Sequence, residues 1–272
     1  MTESSSPSAA GGMRPWWQPT FSHQHGPLVA LLVSFLLGAA GAHRWTVDTT
    51  LALVVVLAAF QAEHPLVQQI RRRRSLQPRL LLWLGLYGAI AVGLGALLAW
   101  RSPTLIPLGI LAVLVLALDA LAVLQRRQRG LTHELIAFGA VALAGPFAWT
   151  VGSGSLEPEA AGLWGLCSLY FGSSVVLLKV RRDAAAGIAP ALMAGALATA
   201  LVSAGWWLGL LQPFEALAYG VALLKGAWLL SRLEPYRSAS IGRVAAIESA
   251  TALLFLVVAA LGVLPATLEP LG

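Results

Sequence analysis

Residues 80–100 read LLLWLGLYGAIAVGLGALLAW, an apolar run without one charged side chain, and residues 71–79 just before it read RRRRSLQPR. An α-helix rises 1.5 Å per residue, so about 20 such residues cross a hydrocarbon layer of roughly 30 Å. The run has the length of a membrane-spanning helix, and the arginine block before it is a loop held on one side of the bilayer. In lipid every backbone N–H and C=O must bond within its own segment, which makes a run of this kind a helix and not a strand. The ten-residue alternation of a membrane barrel is absent.

The same pattern extends along the chain. Apolar runs occupy residues 27–42, 47–62, 80–100, 105–125, 131–151, 161–179, 188–211, 213–231 and 244–264. The predicted fold is therefore all-α, a polytopic transmembrane bundle of about nine helices over residues 21–272. The first two runs are short and joined only by HRWT, but Gly41, His43 and Arg44 interrupt them where a turn belongs. Residues 1–20 read as a disordered and interfacial tail. Trp16 and Trp17, with Phe21 just beyond, are interfacial anchors, and nothing there has the pattern of a secretory signal.

Composition agrees with this reading. The chain is 58% hydrophobic and 11% charged, with mean hydropathy +0.77, whereas soluble domains average about 25% charged. Its partner is the lipid bilayer. The net charge of +6 does not imply nucleic acid, because the arginines sit in short loops between apolar runs. Arg71, Arg72, Arg73, Arg74 and Arg79 follow the second run, and Arg126, Arg127 and Arg129 the fourth. Lys179, Arg181 and Arg182 follow the sixth, and Arg232, Arg237 and Arg243 the eighth, while the alternate loops hold only Arg44 and Arg101. The positive-inside rule then predicts a cytoplasmic N-terminus and an external C-terminus.

Proline and glycine add detail. Gly145-Pro146 predicts a kink in the fifth span. Gly85, Gly88, Gly93 and Gly95 of the third span, and the Ala/Gly-rich seventh, predict faces of close helix packing. The single cysteine, Cys167, lies in an apolar run and reads as a buried structural residue, implying no disulfide.

With this topology most ionisable residues fall at the basic end, leaving the opposite half almost bare. A charged group at membrane depth costs a few kcal/mol, so such residues usually face an interior or a watery cavity. His25, Glu63, His64, Glu134, Lys179, Arg181 and Glu248 come from five different spans and are the candidate lining of one crevice open to the cytoplasm. The plainer readings are that Lys225 snorkels to the interface, that Arg181 and Arg182 only set topology, and that Asp119 or Glu248 pairs with loop arginines. No metal centre or cofactor is expected. His23-x-His25 is the best histidine pair, but no helix carries His-x-x-x-His. There is no Gly-x-Ser-x-Gly elbow and no phosphate-binding loop, which leaves the catalytic residues, if any, unknown. The sequence does not bear on the number of copies in an assembly.

These residues resemble a family. His23-Gln-His25-Gly26-Pro27 followed by LVALLVSFLLG, Glu63-His64-Pro65-Leu66, His133-Glu134-Leu135, the 170–182 segment YFGSSVVLLKVRR, and Ile241-Gly242 with Glu248 are similar to motifs of the YwiC-like membrane proteins. The resemblance implies a bacterial inner-membrane protein without an established activity, over nearly all of the chain after the tail. Nine spans with an inside N-terminus also resemble the UbiA-type prenyltransferases. That family's Asp-rich motifs correspond here to 61–68 and 179–183, which keep only Glu63, and Asp183, as acids. A Mg²⁺-diphosphate needs several carboxylate oxygens, so the resemblance does not extend to that mechanism. The expected function is binding of an anionic lipid or quinone-like amphiphile in the crevice. An intramembrane transferase and a small-molecule transporter are the alternatives, the latter fitting poorly with an odd span count and no visible repeat.

Overall fold

A computed structural model gives the structure of residues 19–22, 24–72, 75–125, 130–183 and 187–263. The tail with Trp16 and Trp17, together with His23, Arg73, Arg74, Arg126, Arg127, Arg129 and the C-terminus, lies outside these residues. All regular structure among the described residues is helical: α1 (His25–Gly41), α2 (Val47–Arg72), α3 (Pro78–Arg101), a 3-10 turn (Pro103–Leu105), α4 (Ile106–Leu124), α5 (Leu131–Ala142), α6 (Ala144–Ser153), α7 (Pro158–Arg182), α8 (Ala189–Trp207), α9 (Pro213–Ser231), α10 (Leu233–Ser238) and α11 (Ile241–Val263).

Among the described residues eight helical stretches are long and apolar enough to cross a membrane, α5 and α6 counting together as one. The 17-residue α1 is a shorter apolar helix beside them. Five spans, α3, α4, α7, α8 and α9, carry a proline at their first or second position, where the missing N–H has no helical partner to lose. α1 and α2 are separate helices, with His43 at φ 53° in the turn between them. α2 continues past the expected end at residue 62, through Pro65, to Arg72. The predicted kink of the fifth span is present. Pro146 has no N–H for the Ala142 carbonyl, so the helix tightens, Leu143 N–H bonding Ala140 O at 3.1 Å, and restarts with Phe147 N–H on Leu143 O at 3.1 Å.

The 17-residue α1 lies between two cores. On one side Ala30, Val33 and Leu37 of α1 pack into a core built from α7, α8, α9 and α11; on the other, Leu31, Phe35 and Ala39 join a core with α2 and α6. Close approach is achieved by glycines, but not those expected. A methyl group at Gly38 would overlap the Gly145 carbonyl, one at Gly41 the ring of Trp149, one at Gly152 the side chain of Ala42, and one at Gly162 the Leu210 carbonyl. On α3, added methyls at Gly85, Gly88 and Gly93 meet nothing within 4 Å. Three of the four α3 glycines predicted to form a packing face thus have open space beside them, and only at Gly95 does an added methyl approach α2, 3.9 Å from a Val55 methyl.

Outward-facing side chains identify the solvent. Val92 is 72% exposed, Val113 66%, Met193 72% and Leu197 63%, on the predominantly apolar helices α3, α4 and α8. Water would not sustain so large a contiguous apolar surface, and lipid does. The protein is a multi-pass membrane protein.

The end opposite the arginine loops is not as bare as the sequence suggested. Asp48 pairs with Arg101 there, and Glu157 accepts from Trp149 Nε1 at 3.0 Å. Glu215 is buried at the start of α9, where it accepts from the Gln212 N–H at 2.6 Å and satisfies a free helix-terminal donor.

Candidate functional site

Three helices carry inward stripes at helical spacing toward the basic end: Tyr170, Ser174 and Leu177 on α7; Ala218, Ala222, Lys225 and Leu229 on α9; Val244, Ala252, Phe255 and Ala259 on α11, with Glu248 in register between the first two. The polar members of these stripes meet. Lys225, its side chain 0% exposed, donates to Glu248 Oε2 at 2.9 Å and to Ser174 Oγ at 2.5 Å. Its ammonium lies 5.1 Å from the centre of the Tyr170 ring, which stacks on Phe255 at 4.0 Å. Lys225 therefore does not snorkel: it stands on the inward face of α9, and Glu248 pairs with it, not with a loop arginine. Removing either partner would strand a buried charge at a cost of about 3–5 kcal/mol.

Above this pair lies α10. Arg181, at the end of α7, donates Nε to Tyr236 O at 2.9 Å and Nη2 to Ala239 O at 2.6 Å, with its guanidinium carbon 5.6 Å from the centre of the Tyr236 ring. This planar fork holds the short helix over the ends of α7, α9 and α11. The Tyr236 hydroxyl is pushed up to about 12, by burial first and then by the charge of Glu248, against the opposing pull of Arg181 and Arg182. Three buried oxygens around this cluster, Glu248 Oε1 and the hydroxyls of Tyr170 and Tyr236, have no hydrogen-bond partner among the described residues.

Beside the Lys225 pair a groove of about 370 Å³ opens toward lipid between α9 and α11. Val221, Leu224, Lys225 and Trp228 form one wall and Ile247, Ala250, Thr251 and Leu254 the other. At its basic end the Arg232 guanidinium carbon lies 5.9 Å from the Trp228 ring centre.

The other residues predicted for a single crevice are distributed among separate partners. Lys179 Nζ bridges to Glu134 Oε1 at 3.1 Å, tying α7 to α5, and His133 Nε2 lies 3.1 Å from Asp119 Oδ1, tying α5 to α4. Among the described residues Asp119 thus has a histidine partner. Half-buried Glu63 feels the charge of Asp119 across α2 and α4. His64 Nε2 and Gln68 Nε2 are 2.7 Å apart on α2, and His25 is exposed at the start of α1. Of the seven candidates, Glu134 meets Lys179, Glu248 meets Lys225, and Arg181 acts through the α10 backbone. Among the described residues no three His, Cys, Asp or Glu side chains group so as to hold a metal ion. Cys167 is buried in α7, as expected.

Sequence reading placed Lys225 at the right depth but on the wrong face. The spacing Ala218, Ala222, Lys225, Leu229 was the available signal, but it is faint in a helix apolar on every side, where lipid-facing and core-facing positions share the same residue types.

No curated protein and no solved structure matches the chain. The model of the family described as YwiC-like protein matches residues 21–149, which run from just before α1 into α6 and include the Glu63-His64 and His133-Glu134 motifs. The segments at 170–182 and 241–248, and with them the Lys225 pair, lie beyond the match. The chain is a multi-pass membrane protein that is YwiC-like across residues 21–149.

Proposed function

We propose that the protein binds an anionic lipid or quinone-like amphiphile in the bacterial inner membrane, with its basic end in the cytoplasm and the groove between α9 and α11 as the site. One observation carries this reading: an apolar groove facing hydrocarbon has, as the one charged residue of its walls, a lysine whose ammonium is buried directly behind it. A volume of about 370 Å³ falls within the roughly 300–1,000 Å³ of small-molecule sites, which combine apolar walls with a few placed polar groups. Leu224, Val221 and Leu254 supply the walls for a chain. Lys225 and, at the mouth, Arg232 supply donors for oxygen acceptors, the Thr251 hydroxyl being committed to the Ile247 carbonyl at 2.9 Å. Of the seven residues expected to line a crevice, this reading keeps Glu248, adds Lys225, and has Arg181 holding α10 above them.

The experiment is lipid mass spectrometry on protein purified in mild detergent. Leu224 is 74% exposed, so Leu224→Trp fills the groove without disturbing the interior. Wild-type protein retains an anionic or quinone-like amphiphile, Leu224→Trp loses it about tenfold, and Leu116→Trp on α4 changes nothing. Equal retention in Leu224→Trp and wild type rejects the groove as the site.

A further inference from the structure

We infer that Glu248 is an internal stand-in for the ligand's head group: an acyl oxyanion, carboxylate or phosphate, seated in the α9/α11 groove displaces the Glu248 carboxylate and takes its place on Lys225 and Ser174. This rests on the groove reading and adds how the head group is received.

The charges require exchange and not addition. Lys225 is matched by one carboxylate, and a second anion beside both would leave an uncompensated negative charge in a low-dielectric interior. Head group and Glu248 are therefore alternatives for the same ammonium. The two partners are also unequal. Lys225 is 0% exposed and immobilised by Ser174 and the Tyr170 ring, whereas the Glu248 side chain is 23% exposed and holds Lys225 through Oε2 alone. Glu248 is the partner that can leave.

A destination awaits it. Glu248 Oε1 and the Tyr236 hydroxyl are both buried and lack partners among the described residues, and a polar group desolvated without a partner is destabilising. Both are satisfied if Glu248 swings toward α10 and accepts from Tyr236, where the charges of Arg181 and Arg182 favour a carboxylate. Exchange thus accounts for three otherwise separate features: a lysine in the wall of an apolar groove, a carboxylate with one idle oxygen, and a tyrosine hydroxyl buried without an acceptor.

The test is equilibrium binding to full-length protein in phosphatidylcholine nanodiscs, with oleate, phosphatidate and oleyl alcohol as probes. Glu248→Gln removes the competitor and leaves Lys225 needing a counterion, so oleate and phosphatidate bind at least tenfold tighter while oleyl alcohol is unchanged. Lys225→Met reduces both anions to the level of the alcohol. Tyr236→Phe removes only an unpartnered hydroxyl and should fold normally, yet it weakens anion binding severalfold because released Glu248 loses its acceptor site. In the Glu248→Gln background Tyr236→Phe has no further effect. A preference for oleate or for phosphatidate assigns the head group's source. If Glu248→Gln binds the anions no tighter, or Tyr236→Phe weakens them equally with and without Glu248, the exchange is wrong. The groove reading survives that result provided Leu224→Trp still abolishes binding. If wild type and Glu248→Gln bind neither anion, and Leu224→Trp changes nothing, the groove reading falls with it.

Discussion

Gly38 of α1 and Gly145 of α6 lie backbone against backbone, with no room between them for a methyl group. The contact explains why a 17-residue helix can occupy the centre of the bundle: small residues let its neighbours close in on every side. The Gly-Pro pair that breaks the fifth span also supplies its side of this contact.

Gly38→Ala should therefore destabilise the protein by about 1–3 kcal/mol, the usual cost of overpacking a tight interior. Gly88→Ala on α3, where the added methyl meets nothing within 4 Å, should be neutral. Thermal unfolding in detergent compares the two, and equal melting temperatures would contradict the packing described for α1.

Arg181→Lys retains the charge but loses the fork that reaches the carbonyls of Tyr236 and Ala239. Charge-assisted bonds contribute about 1.5–3 kcal/mol each, so losing one should raise hydrogen exchange across 232–240 by roughly tenfold or more while α1 stays protected. Unchanged exchange in α10 would show that Arg181 does not hold it.

Asp119 is the charged residue of an otherwise apolar α4, and it ties that helix to α5 through His133 at 3.1 Å. Asp119→Asn retains a hydrogen-bonding group for His133 and should be mild. Asp119→Leu should lower the melting temperature by several degrees through loss of that anchor and of His133's partner. A leucine variant as stable as wild type would mean that apolar packing alone seats α4.

Native Cys167 is buried, which gives a silent background for thiol labelling. In intact cells an impermeant maleimide should label an engineered cysteine at Ser155 and not one at Ser75 if, as proposed, the arginine-rich loops face the cytoplasm. The reverse pattern would invert the proposed orientation.

The spans were legible because lipid imposes a length and a composition on any segment that crosses it, and 80–100 satisfies both without ambiguity. The break at Gly145-Pro146 was legible because proline's missing donor is a local fact. Which glycines form contacts was not. Gly93 and Gly38 sit in similar apolar runs, and only tertiary packing turns one outward and the other against Gly145. The candidate site was half legible for the same reason. Depth follows from topology and placed Glu248, Glu134 and Lys179 at one end, but the direction of a side chain around a helix apolar on all sides leaves little trace in the sequence. Lys225 was accordingly read as snorkelling, and Arg181 as part of a crevice instead of a clamp on α10.

The most direct test is a cryo-electron microscopy map of the wild-type protein in nanodiscs containing oleate or phosphatidate. Elongated density should lie between Leu224 and Leu254, with its head within hydrogen-bond distance of Lys225 Nζ and the Glu248 carboxylate turned toward Tyr236. A groove closed by its own side chains, or one holding only disordered bilayer lipid while Glu248 still grips Lys225 at saturating ligand, would contradict it.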